Sequence, residues 1–131
     1  MAGTENEFVS RVQGRKCARL LNQEHWYHGR LENEWNVLYL EFEDKGCVRF
    51  HFDAGVFFWR EEKPSLPQNA EGNEYRLAEP PISEHLRGRQ LIAASFGPLP
   101  SGGRGLGLHF EGPMSFYLHN VDDHSTVVLG N

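Results

Sequence analysis

Seven histidines make metal chemistry the first possibility to weigh. His25 and His28 flank Trp26-Tyr27, and on a loop or turn that spacing can bring two imidazoles to one ion. His51 and Asp53 share one face of an alternating segment and would complete a set of nitrogens and a carboxylate. A small metal-dependent hydrolase would be built from these four. The zincin pattern needs a helix and an adjacent Glu; neither is evident around His25 and His28, so neither a metal nor another cofactor is expected. His119, Asp122, Asp123 and His124 form a second polar group, in which an aspartate could orient an imidazole as a general base. Ser125 is the only nucleophile beside it, and Asn, Asp and Ser in such a run are ordinary turn residues. Ser101-Gly102-Gly103-Arg104-Gly105 has the glycines of a phosphate loop but no Lys-Ser/Thr end. Cys17 has Lys16 beside it, which favours a thiolate, yet neither Cys17 nor Cys47 sits in a catalytic signature.

These residues need elements to position them, and alternation supplies most of those elements. In Asn36–Glu43, Leu38, Leu40 and Phe42 point one way, and Val37, Tyr39, Glu41 and Glu43 the other. That is a strand with one face in a core. Asp44-Lys45-Gly46 turns the chain. Val48, Phe50 and Phe52 then face inward, with Cys47, Arg49, His51 and Asp53 outward. Val56–Arg60 is apolar on both sides and is expected to be covered on both. The pattern returns near the C-terminus: Leu106, Leu108 and Phe110 alternate with Gly107, His109 and Glu111, and Met114, Phe116 and Leu118 with Ser115, Tyr117 and His119. A polar turn leads into Thr126–Leu129, a possible edge strand.

Phe8, Val12, Gly14 and Arg15 recur as Ile82, Leu86, Gly88 and Arg89; Leu38, Leu40 and Phe42 recur as Leu106, Leu108 and Phe110; Val48, Phe50 and Phe52 recur as Met114, Phe116 and Leu118. Internal duplication explains the shared order. The fold expected is mostly β: one domain over residues 1–131, with two pseudo-symmetric three-stranded antiparallel units packed as a small sandwich or barrel. Each unit opens with a short helical turn and a strand after Gly-Arg. The units span about residues 8–60 and 82–129, joined by a proline-rich linker over 61–81 in which Tyr75-Arg76-Leu77 adds an edge strand.

Net charge is -5, and the basic residues are scattered, so nucleic acid is not an expected partner. No run approaches the roughly 18 apolar residues of a membrane helix. Met1–Glu7 is polar, without an apolar signal core, and two cysteines make no disulfide framework. A cytoplasmic protein that does not meet a membrane is expected.

The outward sides of the hairpins carry Tyr39, Arg49 and His51 in the first unit, and Tyr117 and His119 in the second. A loop read over Gln23–Trp35 adds Trp26, Tyr27, Glu32 and Glu34. Tyr and Arg dominate protein interfaces, so these nine residues are the candidate partner-binding set. The Gly-Arg starts, the Leu-x-Phe-Glu hairpins (Leu40–Glu43 and Leu108–Glu111) and Phe57-Phe58-Trp59 resemble small, uncharacterised bacterial β domains, some of which are toxin-immunity proteins. That resemblance implies a non-enzymatic inhibitor whose acidic, aromatic surface meets a basic toxin. The alternatives are the hydrolase above and a β-barrel holding a small apolar ligand. The sequence does not set the oligomeric state.

Overall fold

A computed structural model describes residues 4–130; residues 1–3 and 131 lie outside it. A threonine and a glutamate three residues apart start the first element. Thr4 Oγ1 accepts the Glu7 N–H at 3.1 Å, and the Glu7 carboxylate accepts the Thr4 N–H at 3.3 Å. Such a capping box contributes about 1 kcal/mol. Helix α1 (Glu5–Val12) follows and turns Phe8 and Val12, both fully buried, into the core. Just past its end Gly14 takes a φ of +88°, a left-handed conformation that residues with a Cβ rarely adopt. Arg15 then folds back. Its Nη1 donates to the Arg11 carbonyl at 3.2 Å, while Nε and Nη2 hold the two Asp44 oxygens at 2.9 and 2.8 Å. The second Gly-Arg pair does the same work after α2 (Ile82–Leu86). Gly88 has a φ of +78°, and Arg89 donates to the carbonyls of His85 (2.6 Å) and Glu111 (2.9 Å). Each pair therefore caps a short helix and clamps the turn of a later hairpin.

Among the described residues the alternating segments become nine strands: β1 (Cys17–Tyr27), β2 (Arg30–Phe42), β3 (Cys47–Asp53), β4 (Val56–Glu61), β5 (Asn73–Ala78), β6 (Leu91–Pro98), β7 (Arg104–Phe110), β8 (Met114–Val121) and β9 (His124–Gly130). They form two antiparallel sheets, ordered β4-β3-β2-β1-β5 and β6-β7-β8-β9. The expected all-β architecture is thus a two-sheet sandwich. Each half is a helix followed by a four-stranded meander, so the expected count of three strands per unit is one short: the strand after each Gly-Arg joins the hairpin directly. β5 is the edge strand expected around Tyr75-Arg76-Leu77, and Thr126–Leu129 lies within the edge strand β9.

The Leu and Phe sides of both sheets close on each other. Leu38, Leu40, Phe42, Val48 and Phe50 join Leu106, Leu108, Phe110, Phe116 and Leu118 in one cluster, each at most 3% exposed. The two Gly-Arg segments lie antiparallel at its rim. There Gly14 N–H donates to Leu91 O (2.7 Å), Leu91 N–H to Arg15 O (2.8 Å), Cys17 N–H to Arg89 O (2.9 Å) and Gly88 N–H to Cys17 O (2.7 Å). Both first strands bulge just after this point, between Cys17 and Arg19 and between Leu91 and Ala93.

Register corrects one detail of the match expected between the two hairpins. Leu38 pairs with Phe50 and Leu106 with Leu118, so Phe50 matches Leu118 rather than Phe116. The sides expected to face outward also need correction. Val37 and Tyr39 are buried, at 3% and 1% exposure, with Leu21 and Cys47 in a second cluster on the outer side of the five-stranded sheet. The segment after β4 lies against that cluster. Tyr39 Oη donates to Ser65 O (3.0 Å), and Glu62 N–H donates to Cys47 O (3.2 Å). Conversely β4 is covered on one side only: Phe57 and Trp59 are buried, whereas Val56 and Phe58 face solvent. It is an edge strand, with no layer over its second face.

Candidate partner-binding surface

Eight of the nine candidate residues fall into three places, and the ninth, Tyr39, is buried. The first is a projecting ribbon. Gln23–Trp35 is not a loop: β1 continues to Tyr27, the chain turns at His28-Gly29 with φ of 48° and 78°, and β2 returns from Arg30. Positive φ at both turn positions is what a two-residue hairpin turn demands, and Gly29 was its visible signal. β5 pairs along the other edge of β1, from Asn22 to Tyr27. β3 joins β2 only from Leu38 onward. β1 and β2 run 11 and 13 residues against 8 and 7 in β6 and β7, so the ribbon outruns the second sheet.

Trp26 lies on this ribbon. The Arg76 guanidinium is 4.1 Å from its ring centroid, and its Nε1 donates to Glu24 at 3.0 Å. Tyr27 and Leu31 are each 44% exposed, and Glu32 and Glu34 are exposed. Among the described residues neither glutamate has an ion-pair partner. Trp35 packs against the main core instead. A bulge separates the two behaviours: between Gln23 opposite Val37 and His25 opposite Asn33, β2 carries extra residues, and Asn22 Nδ2 donates to the Glu34 carbonyl that the bulge frees (2.8 Å). Leu31 was missed from sequence because the segment was not recognised as a strand.

The second place is a polar cleft of about 340 Å³ at the ribbon's base, on the outer side of the large sheet. Gln23, Asn33, Asn36, Arg49, His51, Asp53, Tyr75 and Asp123 line it, and Pro67 of the covering segment closes one side. Arg49 Nε stands 3.5 Å from Glu62. His51 stacks on Phe58 (ring centroids 5.4 Å apart, planes 20° apart), and its Nδ1 is buried without a hydrogen-bond partner. Burial, with Arg49 next in weight, holds the His51 pKa below the ordinary imidazole value and so favours the neutral ring. Tyr39, expected to face a partner, is covered by residues 62–67 and cannot do so.

Tyr117 and His119 occupy the third place, the outer side of the four-stranded sheet. They line a shallow groove of about 260 Å³ with Ser95, Gly105 and Gly107. His109 bridges Ser115 (Nδ1, 2.9 Å) and Ser95 (Nε2, 3.1 Å). Hydroxyls, not a carboxylate, hold both nitrogens of this imidazole, unlike the carboxylate–imidazole pair of a hydrolase triad.

The remaining candidates are dispersed. His25 bonds Asn73 Oδ1 through Nε2 at 2.8 Å and stacks on Tyr75, while His28 sits in the ribbon turn. Among the described residues no three His, Cys, Asp or Glu side chains converge as metal ligands, so His25, His28, His51 and Asp53 are not assembled into one centre. Asp122 and Asp123 form the β8–β9 turn, where Asp123 accepts the Ala54 N–H (2.8 Å) and ties two turns together. Cys17 and Cys47 are buried free thiols, and burial pushes both up to about 12. Among the described residues no helix is long and apolar enough to cross a membrane. Comparison with family models, with curated proteins and with solved structures finds no match.

Proposed function

We propose that this chain is a non-enzymatic protein-binding module of the immunity or inhibitor kind, which grips a basic partner with the β1–β2–β5 ribbon. One observation carries the reading: a ribbon that outruns the second sheet presents Tyr27 and Leu31 among Glu24, Glu32, Glu34, Glu71 and Glu74, against only Arg30 and Arg76. Arg76 is already engaged by Glu74. An exposed aromatic and a leucine supply contact area, and the surrounding carboxylates steer a cationic partner toward them. Elsewhere Arg11, Arg15, Arg19, Arg49, Arg60, Arg87 and Arg104 are paired with carboxylates. That leaves little free basic surface for nucleic acid and favours a protein partner, while the two free thiols, Cys17 and Cys47, support a cytoplasmic protein. The matching Gly-Arg bonds and bulges support the reading that the two halves arose by duplication.

The test is affinity capture from extracts of the source cells, using wild type, Tyr27→Ala and the Glu32→Lys/Glu34→Lys double variant. A basic protein retained by wild type and lost from both variants is the expected result. If every retained protein is held equally by the variants, the ribbon is not the recognition surface.

A further inference from the structure

We propose that the cleft at the ribbon's base is a receptor for one arginine side chain of the basic partner, with Asp53 and Asp123 taking the guanidinium. This deepens the reading above and rests on it for the identity of the ligand's owner. The cleft belongs to the surface a partner on the ribbon would cover, because Gln23, Asn33 and Tyr75 come from the ribbon strands themselves.

The lining selects the ligand by charge and by hydrogen-bonding type. Among the described residues Asp53 and Asp123 have no cationic partner, and Asp123 is occupied only by the Ala54 N–H. Arg49, the one cation in the cleft, stands 3.5 Å from Glu62, a carboxylate it shares with Arg60, so the lining sets two free carboxylates against one partly offset guanidinium and stays acidic. An anion would meet two carboxylates. An apolar ligand would strip water from Gln23, Asn33, Asn36, Arg49 and the aspartates without replacing their hydrogen bonds. A guanidinium instead brings five donors in a plane to carboxylate and amide oxygens. His51 lines the same cleft with its ring stacked on Phe58, while its Nδ1 is buried away from the opening. The volume, about 340 Å³, lies at the small end of ligand sites and suits a side chain better than a whole cofactor.

The experiment needs no partner. The 15N-labelled full chain is titrated with Nα-acetyl-arginine amide and, in parallel, with Nα-acetyl-citrulline amide, which keeps the shape but replaces the cation with a neutral urea. The amides of Gln23, Asn36, His51 and Asp53 should shift with the arginine compound, and citrulline should bind at least about 10-fold more weakly, as expected where a charge-assisted pair is lost. Asp53→Asn should weaken the arginine compound by about 5-fold or more with its other resonances unmoved, and Tyr27→Ala should leave the titration unchanged. Equal binding of citrulline, shifts centred on another part of the chain, or no shift with the arginine compound overturns the proposal. Because Tyr27 plays no part in this titration, failure of the cleft and failure of the ribbon appear in different measurements.

Discussion

Removing the Phe8 ring is the sharpest stability test of how the halves are joined. Phe8 is fully buried, and its ring meets Phe50 at 5.6 Å, Phe57 at 5.0 Å, Trp59 at 5.7 Å and Phe96 at 6.0 Å between centroids. Phe50, Phe57 and Trp59 belong to one sheet and Phe96 to the other, so a single side chain from α1 bridges both layers. Phe8→Ala should cost about 3–5 kcal/mol from lost burial and the cavity left behind. That is a large part of the roughly 5–15 kcal/mol that holds a domain folded. Phe8→Leu keeps most of the volume but loses the edge-on ring contacts, and should cost about 1–2 kcal/mol. With a urea slope of about 2 kcal/mol/M, the midpoint should fall by about 2 M for Ala and less than 1 M for Leu. Urea titration followed by tryptophan fluorescence reads this directly, since Trp59 lies against Phe8 and donates Nε1–H to Thr4 O at 2.9 Å. Val128→Ala, at a half-exposed edge-strand position, should stay within about 0.5 kcal/mol. A Phe8→Ala loss no larger than the Val128→Ala loss would refute the placement of α1 between the sheets.

Three further outcomes are expected. Tyr39→Phe should loosen the segment covering the large sheet, costing about 1 kcal/mol, with faster amide exchange over residues 62–67; unchanged exchange there would mean that the Tyr39–Ser65 bond does not fasten it. The Arg15 guanidinium, with the Gly46 N–H adding to it, holds Asp44 down at about 2. A depressed acid stabilises the fold above its unfolded pKa and loses that contribution as pH falls toward 2. Wild type should therefore lose more stability than Asp44→Asn between about pH 4 and pH 2, by no more than about 1 kcal/mol for so exposed a pair, in acid-dependent thermal melts; parallel curves would contradict this. Cys17 and Cys47 should resist a disulfide reagent at pH 8 in the native protein and react together in denaturant; rapid native reaction of either would show that it is not buried.

The core was legible because it obeys a two-residue period. Leu38, Leu40, Phe42, Leu106, Leu108 and Phe110 all face inward as alternation requires. Tyr39 and Val37 obeyed the same period, and their exposure was still misjudged, because a segment with no periodicity of its own lies over them. Pairing residues by apolar type rather than by register slid β3 against its match in the second half, and only the hydrogen-bonded partners of Leu38 and Leu106 put it right. The ribbon was hidden by its bulge: the extra residues opposite Glu24 break the alternation, so Gln23–Trp35 reads as a loop. Of the cleft only the shared strand face of Arg49, His51 and Asp53 was legible, since Asn33, Tyr75 and Asp123 lie far from it in sequence and join it only through strand order.

Recognition by the ribbon is tested most directly by hydrogen–deuterium exchange on the free protein and on its complex with the captured partner. Protection should appear across Glu24–Asn33 and Asn73–Arg76 and reach His51 and Asp53 at the ribbon's base, while the outer side of β6–β9 exchanges as before. Protection confined to Ser95, Gly107, Tyr117 and His119, with the ribbon unaltered, would contradict it.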